Sequence, residues 1–501
     1  MTAAGPPDLP AEVRGLLDRA LDEHAGRPAA VDRLRALRGR LDEPLRVALA
    51  GRVKAGKSTL LNALVGERLA PTDAGECTRV VTWYQRAPLP RVVLHAADGT
   101  RRPLPVRREH GELRLDLADT PADEVDRLVV EWPATGLAPA TLIDTPGIAS
   151  LSADASARTQ AVLDAGDQLS GADAVVFLTR RFQPGDLAFL AAVQESCGGS
   201  PATTLTVFSR ADDAGGGRLD ALLTAQQLAA EAAELPAVRA LSATVLPVAG
   251  LLALAGRTLR HADFVAVRAL ARADRADTEP LLLTADRFLR PEAPGGLPLP
   301  VRASLLERLG LFGVRLAVAL VRTGVDDAPA LAEELVTRSG LPELQRLLAV
   351  QFTRRSDQLK AGTALALLER LLAGLPPSAD GVLERDVERV RAGARDLAEL
   401  ELLTRTRAPD GPFPRAQREE AERLLGAHGT DAAIRLGLPP DAAVEDVRQA
   451  ALTALRRARA RAADPAARRP ESDAAEELAR AVEAVLAGLP GSVAATTRDG
   501  R

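Results

Sequence analysis

Lysine is almost missing from this chain. Of 64 basic side chains only three are lysines, Lys54, Lys57 and Lys360, and all the others are arginines. Aromatic residues make up 2% of the 501 residues, which leaves aliphatic packing, mainly Ala and Leu, to form any core. Two cysteines, Cys77 and Cys197, exclude a disulfide framework and a four-cysteine metal site, and they fit a reducing compartment. The chain has no uninterrupted apolar run of about 18 residues, so no spanning helix is expected and any membrane contact is peripheral. The opening MTAAGPPDLPAEV has no charged-then-apolar leader pattern. A net charge of −4 argues against a general nucleic-acid binder, which would be basic.

What is present is a change of pattern along the chain. Residues 10–44 carry Leu17, Leu21, His24, Val31, Leu34, Leu37 and Leu41 at helical spacing, broken near Gly26-Arg27-Pro28 and ended by Pro44. Short apolar runs follow at Val80–Tyr84, Arg91–His95, Leu113–Leu117, Leu128–Trp132, Ala140–Ile143, Ala174–Leu178 and Leu205–Phe208, none containing proline. From Ala140 onward they alternate with helical stretches at Ala155–Leu169, Leu187–Gln194 and Leu219–Glu234, the pattern of an α/β domain with a largely parallel sheet. After the Pro/Gly-rich 291–300 segment the chain reads as helix almost throughout. Leu305, Leu309, Phe312 and Leu316 share one face, and Leu383, Val387, Val390, Ala394 and Leu397 keep a heptad-like spacing. Turns are expected at 374–381 and 408–414, and a disordered tail at 491–501.

The chemistry is concentrated near the start. Gly51, Arg52, Val53, Lys54, Ala55, Gly56, Lys57 and Ser58 form a complete G-x-x-x-x-G-K-[ST] phosphate loop, preceded by the apolar run Leu45–Ala50 and followed by a helical stretch that begins Ser58-Thr59. Backbone N–H groups of such a loop curl around phosphates; Lys57 would bridge the β- and γ-phosphates and Ser58 would ligate Mg²⁺. Two of the chain's three lysines stand in this loop, where a bulky guanidinium does different work from an ammonium. Asp144-Thr145-Pro146-Gly147 follows an apolar strand and matches D-x-x-G, with Asp144 holding Mg²⁺ through water and the Gly147 N–H sensing the γ-phosphate. Ser209-Arg210-Ala211-Asp212 resembles the guanine-reading [NT]-K-x-D element. Asp212 would accept from two N–H edges that adenine does not offer, and the Arg210 stem would lie against the base. Thr78 is the candidate switch threonine completing the Mg²⁺ shell, with Thr72 and Thr82 as competitors. GTP with Mg²⁺ is the ligand these elements point to.

Taken together, GRVKAGKSTLLNALVGERLAPTDAGECTRVVTWY (51–84), LIDTPG (142–147), FSRAD (208–212) and LPVAG (246–250) resemble the bacterial dynamin-like GTPases, of the actinobacterial isoniazid-inducible type. RLGLFGVRLA (308–317), SGLPEL (339–344), DLAEL (396–400) and ERLLGAHGTDAAIRLGLPP (422–440) extend the resemblance over most of the chain. It implies an α/β P-loop GTPase domain plus an extended all-α helical bundle, the neck and trunk. The expected boundaries are N-terminal neck helices over 1–44, a GTPase domain over 45–295 and neck and trunk over 296–490. It also implies GTP hydrolysis coupled to self-association through the heads, to a second dynamin-like partner, and to lipid binding and remodelling at the inner face of the cell membrane.

Two departures bear on mechanism. Eukaryotic dynamins carry a serine where Lys54 stands, which helps hold a monovalent cation, and guanylate-binding relatives carry an arginine finger there. Lys54 is therefore a candidate catalytic charge beside Lys57 and Thr78. The glutamine that positions water in small GTPases is absent, since Ile148 follows the D-x-x-G element. For the membrane, Arg456, Arg457, Arg459, Arg461, Arg468 and Arg469 form a basic row that would attract anionic lipid, with a solvated helix face as the alternative, and Phe413 between two prolines is a candidate insertion tip, with packing against its own helices as the alternative. Besides a membrane-remodelling enzyme, the sequence admits a nucleotide-gated scaffold acting on a protein partner; an RNA-linked GTPase would need a basic module that is not evident here.

Overall fold

The computed structural model describes residues 9–71, 80–109, 111–117, 120–145, 171–196, 201–291, 297–375, 381–408 and 410–490. Nine strands form one mixed sheet in the order β11-β10-β9-β1-β8-β2-β7-β3-β4. Their spans are β1 Arg46–Gly51, β2 Thr82–Arg86, β3 Arg91–Ala96, β4 Arg101–Leu104, β7 Val125–Trp132, β8 Thr141–Asp144, β9 Ala174–Thr179, β10 Thr204–Ser209 and β11 Val245–Val248. A separate ribbon pairs β5 Arg107–Glu109 with β6 Glu112–Arg114. The block β11-β10-β9-β1-β8 is parallel throughout. Its central strands are buried along nearly their whole length, which is why they read as continuous apolar runs. β2 turns antiparallel to β8, and β3 and β4 run antiparallel beyond it. There the burial alternates, with one face toward solvent.

Two strands escape the sequence pattern because they hold proline, Pro103 in β4 and Pro247 in β11. These are the two edges of the sheet, where a missing N–H breaks no ladder and discourages a further strand. The Leu113–Leu117 run is only half strand, since β6 ends at Arg114. The stretch Ala155–Leu169 and the 491–501 tail lie outside the described residues.

The helical part packs in three ways. Helix Leu299–Arg322 shares a core with Phe208, Ala225, Phe264 and Leu270, so its buried face completes the α/β side. Helices α1 (Leu9–Glu23) and α2 (Pro28–Arg40) bury Val13, Leu16, Leu17 and Leu34 against Leu365 and Leu368 of Ser356–Ala373 and Leu383, Val387 and Val390 of Val382–Gly393. The helices Arg395–Arg407, Arg415–Leu424, Val444–Ala462 and Arg469–Ala487 form the third cluster.

Buried charges join these parts. Arg40 meets Asp173 at 2.7 Å, just before β9. Arg407 pairs with Glu422 at 3.2 Å and donates to the carbonyls of Ser242 (3.1 Å) and Ala243 (2.8 Å). Glu422 also accepts from Arg239. Lys360 places its ammonium between the carbonyls of Leu41 (2.9 Å) and Glu43 (3.2 Å), with Asp357 at 3.1 Å. A compact ammonium with rotatable donors serves such a carbonyl cluster at the end of α2; a planar guanidinium would not.

At both candidate lipid contacts the structure agrees with the alternative reading, packing for Phe413 and a solvated, ion-paired helix face for the arginine row. Phe413 is 1% exposed and sits in the third helical cluster, so it is a core anchor and not an insertion tip. The arginine row is largely spent on carboxylates: Arg457 and Arg461 both meet Glu420 (3.1 and 2.6 Å), and Arg459 meets Glu483 (2.6 Å).

Candidate functional site

Five parallel strands bring their carboxyl ends to one edge, where open α/β sheets hold ligands. The loop 51–56 leaves β1 and enters helix α3 (Lys57–Val65). Gly51 pairs with Leu178 of β9, and a Cβ on Gly51 would stand 2.4 Å from the Leu178 carbonyl oxygen; only glycine permits that approach. Lys57 is 8% exposed, and its ammonium donates to the carbonyls of Gly51 (3.1 Å) and Arg52 (3.3 Å). Burial holds its pKa below the usual lysine range, an effect the Asp144 charge opposes. An ammonium resting on its own loop's carbonyls is free to transfer to a phosphate.

Asp144 ends β8 beside the loop. Its Oδ2 accepts from the Ser58 hydroxyl at 2.8 Å, while its Oδ1 is buried without a hydrogen-bond partner. Burial raises its pKa, against the opposing pull of Lys57 and Ser58. A hard carboxylate oxygen left unsatisfied next to a hydroxyl is a donor set suited to Mg²⁺, which takes one or two protein oxygens and completes its shell with phosphate and water. Among the described residues no cluster of three His, Cys, Asp or Glu could hold a metal by itself, so such a cation would depend on the nucleotide.

Among the described residues, two other than glycine have positive φ, and both belong to this site: Lys54 (φ 63°) and Arg210 (φ 53°). Each holds a left-handed backbone that a side chain makes costly, and such strain concentrates at functional sites. Lys54 is exposed and has no ion-pair partner among the described residues, whereas its neighbour Arg52 is tied to Asp186 (2.6 Å) and Gln183 (3.1 Å). Val53 and Lys54 border a cleft of about 970 Å³.

On the other side of the loop, a cavity of about 590 Å³ is lined by Ala55, Gly56, Thr59, Ser209, Arg210 and Asp212, joined by residues of β11 and of helix Leu299–Arg322. Asp212 follows β10 in the turn 211–216; burial raises its pKa, and it has no ion-pair partner among the described residues. Ser209 turns away from this role, donating to the Thr179 carbonyl at 3.2 Å inside the sheet. Arg210 lies 3.6 Å from Asp213, which also faces Arg180 at 3.6 Å. Arg180 lines the cavity and was not singled out by the sequence; it lies outside every motif, directly after β9. Arg315 from the distant helix also lines the cavity; it falls within the 308–317 segment of the resemblance, which assigned it no role.

The structure thus brings together Gly51–Thr59, Asp144, Ser209, Arg210 and Asp212. Thr78, Thr72 and Gly147 lie outside the described residues. Thr82, the remaining competitor, is buried in β2 opposite Asp144, with its hydroxyl donating to the Val80 carbonyl at 3.3 Å.

Residues 47–181 match the model of the dynamin family. The isoniazid-induced protein IniC of Mycobacterium tuberculosis is 41% identical over 462 residues, spanning 90% of this chain and 93% of its own length. A bacterial dynamin-like protein of Nostoc punctiforme is 31% identical over 153 residues, 28% of this chain and 21% of its own. A solved structure described as an oligomerised bacterial dynamin pair aligns over 91% of this chain and 86% of that one, with a TM-score of 0.31 and 12% identity. The chain belongs to the bacterial dynamin-like GTPases, within the actinobacterial isoniazid-induced group, and its α/β head is a GTP-hydrolysing domain.

Proposed function

We propose that this GTPase is a mechanoenzyme in which the nucleotide state of the head is passed to the helices and used at a membrane surface. The observation that carries this reading is a short link. The Ala249 N–H, at the end of β11 beside the nucleotide cavity, donates to the Ser339 carbonyl at 2.9 Å. Ser339 opens the segment that runs through Leu341–Leu347 into helix Ser356–Ala373, the partner of α1. Displacement at the base end of the site is thereby one hydrogen bond from the entry to the helical stack.

In the phosphate loop, Lys57 moves from its own carbonyls to the β- and γ-phosphates, and Ser58 and Asp144 hold Mg²⁺. The cation supplies neutralisation of charge developing on the phosphates. Lys54, poised on a strained backbone with a free ammonium, takes the place of the cation-binding serine or arginine finger of relatives and stabilises the transition state. Thr78 completes the metal shell and Gly147 reads the γ-phosphate. Two heads associate across the nucleotide edge, so hydrolysis per molecule rises with protein concentration. A second dynamin-like protein is a natural partner.

No helix among the described residues is long and apolar enough to cross a membrane, and the proposed contact is peripheral, at the inner face of the cell membrane. A nucleotide-gated scaffold acting on a protein partner is the second reading, and it is favoured by the burial of Phe413 and the pairing of the arginine row. Co-sedimentation with anionic liposomes in GTP, GDP and nucleotide-free states separates the two. GTP-dependent pelleting supports the mechanoenzyme; no pelleting in any state, with the partner present, supports the scaffold.

A further inference from the structure

We propose that Arg315 is a positioning residue for the base-reading turn, governing how selectively the protein holds a guanine base and not how fast it cleaves phosphate. The inference rests on the reading that the base occupies the cavity at Asp212.

Helix Leu299–Arg322 is broken at Gly310, where φ 68° and ψ 167° are far from helical. A Cβ there would stand 3.1 Å from Leu251 Cδ2, so a side chain would be strained in backbone and crowded against the cavity wall. The break swings the following turn onto the nucleotide cavity, and Gly310, Leu311, Phe312 and Arg315 line it.

Arg315 then spends its guanidinium on backbone, as Arg302 of the same helix does on the carbonyls of Leu297, Phe288 and Arg290. Its Nη1 donates to the Gly217 carbonyl (2.7 Å), its Nε to Leu282 (2.6 Å) and its Nη2 to Leu283 (2.7 Å). All three acceptors are backbone, and no carboxylate pairs with it among the described residues. This departs from the common use of arginine in this chain, which is to meet Asp or Glu.

Gly217 closes the turn that carries Asp212. Gly215, Gly216 and Gly217 all have positive φ, at 58°, 82° and 69°. Three consecutive glycines give a turn the required shape and also the largest freedom to leave it. They bring no side chain to pack. The bond from Arg315 anchors the far end of this turn to a packed helix, while Ala211 anchors the near end in the core. Asp212 is thus held between two fixed points. A planar fork with five donors reaches three carbonyls on two segments at once; a lysine ammonium does not span them. Recognition that depends on hydrogen bonds to a base edge is lost when the acceptor shifts by about 1 Å.

The test compares guanosine and inosine diphosphates, which differ by the exocyclic amine that Asp212 would accept from. Affinities of the full chain for both are measured, with the GTP turnover at saturation and the melting temperature, for wild type, Arg315→Gln, Arg315→Lys and Asp212→Asn. For Arg315→Gln we expect GDP affinity to fall about tenfold, with the GDP-to-IDP preference narrowed and saturated turnover within about twofold of wild type. Arg315→Lys, which keeps the charge, should fall between, and it decides the matter if Arg315→Gln does not fold. A GDP-to-IDP preference unchanged in the Arg315 variants but lost in Asp212→Asn overturns the role of Arg315. Equal losses for both nucleotides together with a lower melting temperature make Arg315 merely structural and also overturn it. A preference unchanged in Asp212→Asn itself removes the base from this cavity, and the underlying reading fails first.

Discussion

The two ends of the nucleotide site are built on different principles. At the phosphate end, Lys57, Ser58 and the loop carbonyls come from one stretch of eight residues, and among the described residues the outside group that meets them is Asp144. At the base end, the cavity draws on Thr59, Arg180, the turn around Asp212, Gly250, Leu283 and the broken helix at Gly310–Arg315. The phosphate end is held by strand, loop and helix in immediate succession, so its geometry is local. The base end is held by packing between segments far apart in the chain. A universal ligand group, phosphate, is met by a compact local device; a group that must be discriminated is met by a wall that the tertiary fold assembles. The locally built end should fail abruptly when touched, and the assembled end by degrees.

The largest effect is expected from Lys57→Ala, which removes the buried ammonium of the phosphate loop. GTP affinity, followed with a fluorescent nucleotide, should drop more than about 100-fold. Lys54→Ala sharpens the comparison within the phosphate end. Saturated turnover should fall about 10–100-fold with affinity nearly unchanged, if Lys54 acts chiefly on charge that develops in the transition state. Potassium-stimulated turnover in wild type, with the variant unaffected, would remove Lys54 from the mechanism. At the base end, Asp212→Asn should weaken GDP about 10–50-fold and shift preference toward xanthosine diphosphate, whose edge suits an amide. Gly310→Ala should cost only a few-fold in GDP affinity, with about 1 kcal/mol of stability lost to backbone strain. If Gly310→Ala instead abolished binding, the contrast between the two ends would be wrong.

The smallest effect concerns Asp144 in the nucleotide-free protein. Its pKa is raised by burial, so its contribution to stability is full below the ordinary carboxylate pKa and declines as pH rises past it. Asp144→Asn should therefore flatten a shallow fall in melting temperature between pH 4 and 7, by a few degrees at most. It should also abolish the added stability that Mg²⁺ with GDP gives the wild type. A melting curve unaltered by the substitution at both ends of that range would show that Asp144 is not held unsatisfied.

Sequence pattern served unequally across the molecule. The parallel strands were legible because burial on both faces leaves continuous apolar runs such as Leu45–Ala50 and Ala174–Leu178. Strands β4 and β11 were not, because their prolines argue against a strand until the sheet order places them at its edges. The phosphate loop was legible from spacing, and Asp144 from its place after a strand. Arg315 lies in the 308–317 segment of the resemblance but carried no signal of its role, since arginine is the default basic residue of this chain and its three acceptors are backbone carbonyls with no side-chain signature. At Phe413 the sequence left two readings open, an insertion tip or packing against its own helices, and the turn folds inward so that the ring fills the helical cluster.

By itself, the sequence determined that a phosphate-loop motif sits after an apolar strand, that Lys57 and Ser58 stand together at the start of the helix after it, and that two of three lysines are kept there in a chain that uses arginine almost throughout. Those properties follow from short spacings, and backbone geometry converts short spacings directly into position. Only the tertiary structure decided that Lys54 holds a strained backbone without an ion-pair partner among the described residues, that Asp144 keeps an oxygen without a partner among them beside Ser58, and that a helix beginning at Leu299 breaks to wall the cavity at Asp212. These depend on which distant surfaces pack together, and packing is a property of the whole chain that no local spacing encodes.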